Sequence, residues 1–339
     1  MYKTIPKSLI ILFATIIIMI ILVVLFAFWP AKHIKYHFPG GKSFAIAILD
    51  DTDGATLENI QPVYEYLAQQ NVISTKTVWA LSSQPQEHGY TIGDSLQNAS
   101  YRQFILKLKF QGFEIASHGA RGASSEHAVV KEGLNLYTQV IGTPPSIHVN
   151  HQINLDNLYW GKNRLTYKAL QWFYTFVKGN DGFSGQIATS KYYWGDIAKP
   201  LNLYSRDFSF YELNLAKLPG VSPRQIPEKP SINQWFYTSD GDNVNSFNKL
   251  LNPLSLDNLE NEGGYSIIYT HFSKGFYQKG ELNKTFKLRI NDLARRNVWI
   301  TTTTKLLQFL EKQHGTSKNT FLDEFRLQLR WSFEQIWYS

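Results

Sequence analysis

The chain of 339 residues carries no cysteine, a net charge of +7 and 43% hydrophobic residues. The charge is spread thinly with no Lys/Arg run, which excludes nucleic acid as the partner that composition points to. A disulfide scaffold is also excluded, while an exported domain without disulfides and a cytosolic one both stay open.

From Ser8 to Trp29 the chain is uncharged and almost wholly Ile, Leu, Val, Phe and Ala. A helix rises about 1.5 Å per residue, so about 20 such residues cross a hydrocarbon core of about 30 Å. A buried core helix is the plain alternative, but the run has no polar stripe. A cleaved signal peptide has an apolar stretch of roughly 7–15 residues ending at small residues. Here the run is longer and ends Ala27-Phe28-Trp29-Pro30, with a bulky Trp at the boundary. The expectation is one transmembrane helix over residues 8–29, behind a cytoplasmic stub of residues 1–7. Lys3 and Lys7 are matched by Lys32, Lys35 and Lys42 after the helix, so positive charge alone does not set orientation. A short stub before a long domain is the usual form of an exported C-terminal part. That places the linker 30–42, the domain 43–314 and the C-terminal segment 315–339 outside a cell membrane crossed once.

Beyond the linker, short β-branched runs alternate with helical patterns. Residues 44–49 read as a buried strand, and 57–70 as an amphipathic helix with Ile60, Val63, Tyr64 and Leu67 on one side. Strand signals follow at 75–81, 113–117, 146–150, 265–269 and 298–302, with helical patterns at 101–111 and 127–140. This alternation implies parallel strands with crossover helices, as an open α/β sheet or a β/α barrel. Between Tyr159 and Asn261 the pattern is irregular and reads as long loops and short strands of the same domain. Residues 321–337 set Phe321, Leu322, Phe325, Leu329 and Phe333 at helical spacing. They predict an amphipathic helix packed on the domain, with an interfacial or oligomer helix as the alternative.

Parallel α/β proteins place their sites at the C-terminal ends of strands. Asp50-Asp51-Thr52-Asp53-Gly54 directly follows the first strand. Clustered carboxylates need a counter-charge, such as a metal, or a division into acid and base. A helix-capping acidic turn is the plainer reading. Ser117-His118-Gly119 ends another strand, and His118 is a candidate ligand. In Ser146-Ile147-His148-Val149-Asn150-His151 the two histidines fall on opposite faces. His151 lies nearer the mouth and is the ligand candidate, with His148 a core imidazole. Tyr269-Thr270-His271-Phe272 closes a late strand, where His271 serves as an acid or simply packs at a loop start. Trp194-Gly195-Asp196, Arg206-Asp207 and Ser239-Asp240-Gly241-Asp242 are further polar candidates, each also readable as a turn.

In this order the clusters resemble the polysaccharide deacetylase (NodB-like carbohydrate esterase) family, over roughly residues 43–310. The resemblance rests on Asp50-Asp51 after the first strand, Phe113-Glu114-Ile115-Ala116-Ser117-His118, and Ile268-Tyr269-Thr270-His271. It implies a distorted seven-stranded β/α barrel and a divalent metal, zinc or a similar ion. It makes Asp50 the catalytic base, Asp51 and His118 metal ligands, and His271 the general acid. Two departures stand out. Gly122 occupies the place of the family's second metal histidine, and Thr143-Pro144-Pro145 lacks the arginine that orients the base. Asp51, His118 and His151 then make a three-ligand site by drawing on a different strand. The implied function is a membrane-anchored, metal-dependent hydrolase removing N- or O-acetyl groups from a cell-envelope or secreted polysaccharide. Trp160, Tyr193 and Trp194 would stack on its sugar rings. The alternatives are a metal-independent carbohydrate hydrolase on the same fold and a non-catalytic glycan-binding or assembly protein.

Overall fold

The run Phe-Ala-Ile-Ala-Ile-Leu-Asp forms strand β1 (Phe44–Asp50), and every residue of it is buried. A strand covered on both faces is apolar on both, which is why no polar alternation marks it. Its two rows still have different neighbours. Phe44, Ile46 and Ile48 belong to one core cluster, whereas Ala45, Ala47 and Leu49 belong to another with Phe208, Phe236 and Ile267.

Strands β2 (Thr75–Val78), β3 (Glu114–Ser117), β4 (Ile147–His148), β5 (Tyr204–Phe210), β6 (Gln234–Asp240) and β7 (Tyr265–Thr270) pair in chain order, all parallel. β7 then closes onto β1, from Ala45 opposite Tyr265 to Asp50 opposite Thr270. The result is a seven-stranded parallel barrel, as the motif resemblance implies. It is distorted at the two-residue β4 and at a register shift between Arg206 and Ser209 of β5. A small hairpin, β8 (Tyr277–Gln278) and β9 (Glu281–Leu282), lies outside the ring, and β10 (Val298–Thr301) pairs with the first half of β1.

In this computed structural model the described residues are 7–31, 34–315 and 318–337, without the side chains of 7, 9–12, 16 and 337. The expected stub up to residue 6, part of the linker (32–33), and residues 316–317 and 338–339 of the C-terminal segment lie outside the described residues. The helices are α1 (Lys7–Phe28), α2 (Leu57–Gln69), α3 (Ala99–Phe110), α4 (His127–Ile141), α5 (Lys168–Lys178), α6 (Gly195–Ala198), α7 (Val244–Leu250), α8 (Pro253–Glu262), α9 (Lys284–Arg295), α10 (Thr303–His314) and α11 (Phe321–Trp337). Helix α2 shows why the sequence makes them. Thr56 and Asn59 cap its start reciprocally, and Ile60, Val63, Tyr64 and Leu67 form its buried face.

Residues 159–261 are more regular than their sequence suggests. They contribute two seven-residue barrel strands, β5 and β6. Charges inside β5 hide it, because Arg206 and Asp207 are buried and paired with Asp51 and Arg224. Helix α11 packs on the domain through Leu327, Leu329 and Trp331, while Phe321 and Leu322 of the predicted apolar face point outward. Helix α1 ends against α11, whose Arg326 donates to the carbonyl of Phe26 at 3.2 Å and to that of Trp29. Those last-turn carbonyls have no partner within their own helix. Among the described residues no helix is long and apolar enough to cross a membrane. In α1 the described side chains are those of Ser8, residues 13–15 and residues 17–28.

Candidate metal centre

The loops after β1, β3, β4 and β7 converge at the C-terminal mouth of the barrel. Strand alternation separates the first two aspartates of the acidic cluster. Asp50 continues the row of Ile46 and Ile48 and turns toward α2. There its carboxylate accepts from Tyr64 Oη at 2.8 Å and Phe272 N at 2.7 Å, and pairs with Lys76 Nζ at 2.9 Å. Both members of the ion pair are fully buried. Burial opposes the charge of Lys76, but Asp50 outweighs it and raises the lysine pKa. Asp50 therefore anchors the first strand to the helix layer, which corrects its assignment as a base poised at the mouth.

Asp51 faces the mouth. Its Oδ2 takes Arg206 at 2.7 Å, and its Oδ1 has no hydrogen-bond partner, lying 4.0 Å from His118 Nδ1. Arg206 comes from β5, so the acidic cluster receives a guanidinium from a later strand although Thr143-Pro144-Pro145 supplies none. Asp53 is the hub that the motif reading left out. Its Oδ1 lies 2.9 Å from His151 Nε2, and its Oδ2 lies 2.9 Å from His271 Nε2 and 3.4 Å from His118 Nε2. Burial would raise the Asp53 pKa, but these three imidazoles hold it well below the usual carboxylate range.

The protons on two of the histidines follow from their other partners. Asn154 spends its amide N–H groups on the carbonyls of Arg121 and Ala123, so its Oδ1, 2.9 Å from His151 Nδ1, accepts. His151 Nδ1 then carries hydrogen, and its Nε2 donates to Asp53: burial would lower the His151 pKa, but the hydrogen bond to Asp53 raises it. His271 Nδ1 donates to the Asp242 carbonyl at 2.9 Å, with Asp242 Oδ1 at 3.0 Å. Burial would lower the His271 pKa, but the hydrogen bonds to Asp242 and Asp53 raise it to about 9. Both ring nitrogens of His118 are buried without a partner.

Asp51, Asp53 and His118 each offer a ligand atom, all within 4.8 Å of one another. Unpartnered buried donors beside two carboxylates are costly unless something binds them. The residues present therefore fit a divalent cation. Two of the three predicted ligands, Asp51 and His118, belong to this group, and His151 reaches it through Asp53.

No family model and no curated protein match the sequence. Solved structures resemble its fold at low sequence identity. The chain is similar to solved polysaccharide deacetylases. One named as such from Mycobacterium smegmatis is 13% identical, with 86% of this chain and 98% of that one covered and a TM-score of 0.47. One named as such from Pseudomonas aeruginosa is 12% identical, covering 83% and 95%, with a TM-score of 0.49. An allantoinase is similar to the same degree, at 12% identity, coverage of 84% and 95%, and a TM-score of 0.49.

The deacetylase motif places a second histidine where this chain has Gly122, and the packing explains why none stands there. A Cβ on Gly122 would lie 2.7 Å from the Trp79 ring and 2.8 Å from the Thr91 carbonyl oxygen. Gly122→His, which restores the motif on paper, is expected to lower the melting temperature without tightening metal binding. Equilibrium metal titration beside a thermal melt checks this. A stable variant with tighter binding would show that the loop yields.

The mouth opens into a cleft of about 470 Å³ whose walls include Trp160, Arg164, Tyr211, Tyr269, Lys274 and Trp331. Of the three predicted sugar-stacking aromatics, Trp160 lines it, with the Arg164 guanidinium 3.2 Å over its ring. Trp194 does not. It is 2% exposed, donates to the Asp156 carbonyl at 2.7 Å and packs on His148 with ring centroids 4.8 Å apart. Tyr193 packs beside Gly195 and is not among the lining residues. His148 is a core imidazole, kept neutral by burial that lowers its pKa to about 3.

Proposed function

We propose that this chain is a metal-dependent hydrolase that removes acetyl groups from a cell-envelope or secreted polysaccharide. The observation that supports it most is the convergence of three imidazole Nε2 atoms on Asp53, beside the half-free carboxylate of Asp51. We assign the cation, zinc or a similar first-row ion, to Asp53 and His118 of that group with His151 as the third ligand, which leaves Asp51 free to act as the base. A bound cation there supplies Lewis-acid polarisation of an acyl carbonyl and of water.

The chain's own groups move the protons. Arg206 fixes one oxygen of Asp51, leaving the other to accept a proton from water as its oxygen bonds to the acyl carbon. The bond from that carbon to the sugar nitrogen or oxygen breaks, and His271 gives its proton to the leaving group. Acetate and the free amine or alcohol result. Asp242 holds His271 in its protonated form and fixes its ring orientation. Tyr211, 40% exposed on the cleft wall, offers a ring for a sugar.

Helix α1 serves as the membrane anchor in this reading, supported by its 22-residue helical backbone and by the exposed apolar side chains described along it. The domain then works outside the cell membrane, where such a polysaccharide lies.

The test is acetate release from acetylated glycans with metal content measured in parallel. Asp51→Asn is expected to keep its metal and lose turnover by about a hundred- to ten-thousand-fold, the range of general acid–base catalysis. His271 must be protonated to act, so turnover is expected to fall on the alkaline side as His271 loses its proton. His271→Gln should abolish that alkaline limb along with the activity. Acetate release unchanged in both variants would reject the mechanism.

A further inference from the structure

Helix α11 roots α1 at one face of the domain. Besides the Arg326 contacts to the end of α1, the Arg330 guanidinium lies 5.1 Å over the Phe28 ring. Leu322 stands one turn before Arg326 on the same side of α11 and is 53% exposed, and the adjoining Phe321 is 75% exposed. Helix α5 begins against this same turn. Tyr167, just before it, donates to the Phe321 carbonyl at 3.0 Å, with ring centroids 5.3 Å apart. The outer side of α5 then carries Trp172 and Phe176, 70% and 77% exposed and stacked 5.9 Å apart. Exposed Val177 adjoins them, and Lys168 and Lys178 stand at the two ends of the helix.

A stacked Trp–Phe pair held in water next to further apolar side chains marks an interaction surface. Its occupant follows from what leaves the domain beside it, helix α1, whose described side chains from residue 13 to 28 are uncharged and mostly exposed and apolar. Amphipathic helices with exposed Trp and Phe and flanking lysines settle at the headgroup boundary, and the lysines favour anionic lipid. We propose that α5 and the first turn of α11 lie on the bilayer surface around the point where α1 enters it. This rests on the reading of α1 as an anchor.

The chain has no cysteine, so single labelling positions are clean. Phe176→Cys, Leu322→Cys, Ile20→Cys and Phe110→Cys are each labelled with an environment-sensitive fluorophore in the full-length protein. Phe110, 94% exposed at the end of α3, is the water-facing reference. The proteins are reconstituted into phosphatidylethanolamine–phosphatidylglycerol vesicles carrying nitroxide-labelled lipids. Probes at 176 and 322 are expected to be quenched at least about twofold more by shallow nitroxides than the probe at 110. The probe at 20 should be quenched by deep ones. Quenching at 20 with 176 and 322 no different from 110 overturns the docking and leaves the anchor. No quenching at 20 overturns the anchor, and the docking with it.

Discussion

Asp53→Asn abolishes stoichiometric metal binding and lowers acetate release by at least about a hundred-fold, while the protein stays folded. Asp53 gathers His118, His151 and His271 around one carboxylate, so an amide there removes the charge that the three imidazoles share. The side chain sits at the mouth and is 16% exposed, outside the apolar clusters, so its loss leaves the barrel core intact. Asp53 is also one of the partners that raise His271, so the histidine's pKa should fall in the variant. Elemental analysis, a thermal melt and an NMR titration of the imidazole report the three effects separately. A folded variant with full metal content would move the ligand role to Asp51.

The second large effect concerns stability. Lys76→Met leaves Asp50 buried without its cation, and breaking a buried pair from one side costs about 3–5 kcal/mol. Tyr64 and the Phe272 N–H still donate to Asp50, but neither carries charge. Adding Asp50→Asn in the same chain should recover most of the loss, because the uncompensated charge is then gone. Urea unfolding of the two single variants and the double variant measures the coupling. If Asp50 were instead a free base at the mouth, Lys76→Met would change turnover and leave stability alone.

Much of the barrel was legible because its first and last strands are apolar runs between helical periods. β1, β3, β7 and β10 fall where the runs at 44–49, 113–117, 265–269 and 298–302 predict them. β5 and β6 were not legible. Tyr-Ser-Arg-Asp-Phe-Ser-Phe places an arginine and an aspartate where a periodicity reading expects core, and only partners far along the chain make them buriable. The same limit governs the site. Polar residues at strand ends identified Asp51, His118, His151 and His271 as residues of the mouth. Motif spacing assigned the first aspartate the role of base, whereas side-chain parity sends Asp50 to the helix layer. Asp53 lies beyond the strand, where no periodicity applies, and only the fold shows three histidines meeting it. Arg206 and Asp242 looked like turn residues because their partners, Asp51 and His271, are remote in sequence. Trp194 was read as a rim aromatic, but residue type alone cannot separate a ring that stacks on sugar from one that closes a core.

In the proposed mechanism the barrel mouth binds one divalent ion through Asp53, His118 and His151. The most direct test of this binding is the metal stoichiometry of the wild-type protein after saturation with zinc and removal of the excess. One equivalent per chain is expected, falling to none in His118→Ala with the fold retained. A wild-type protein that retains no metal under those conditions would contradict it.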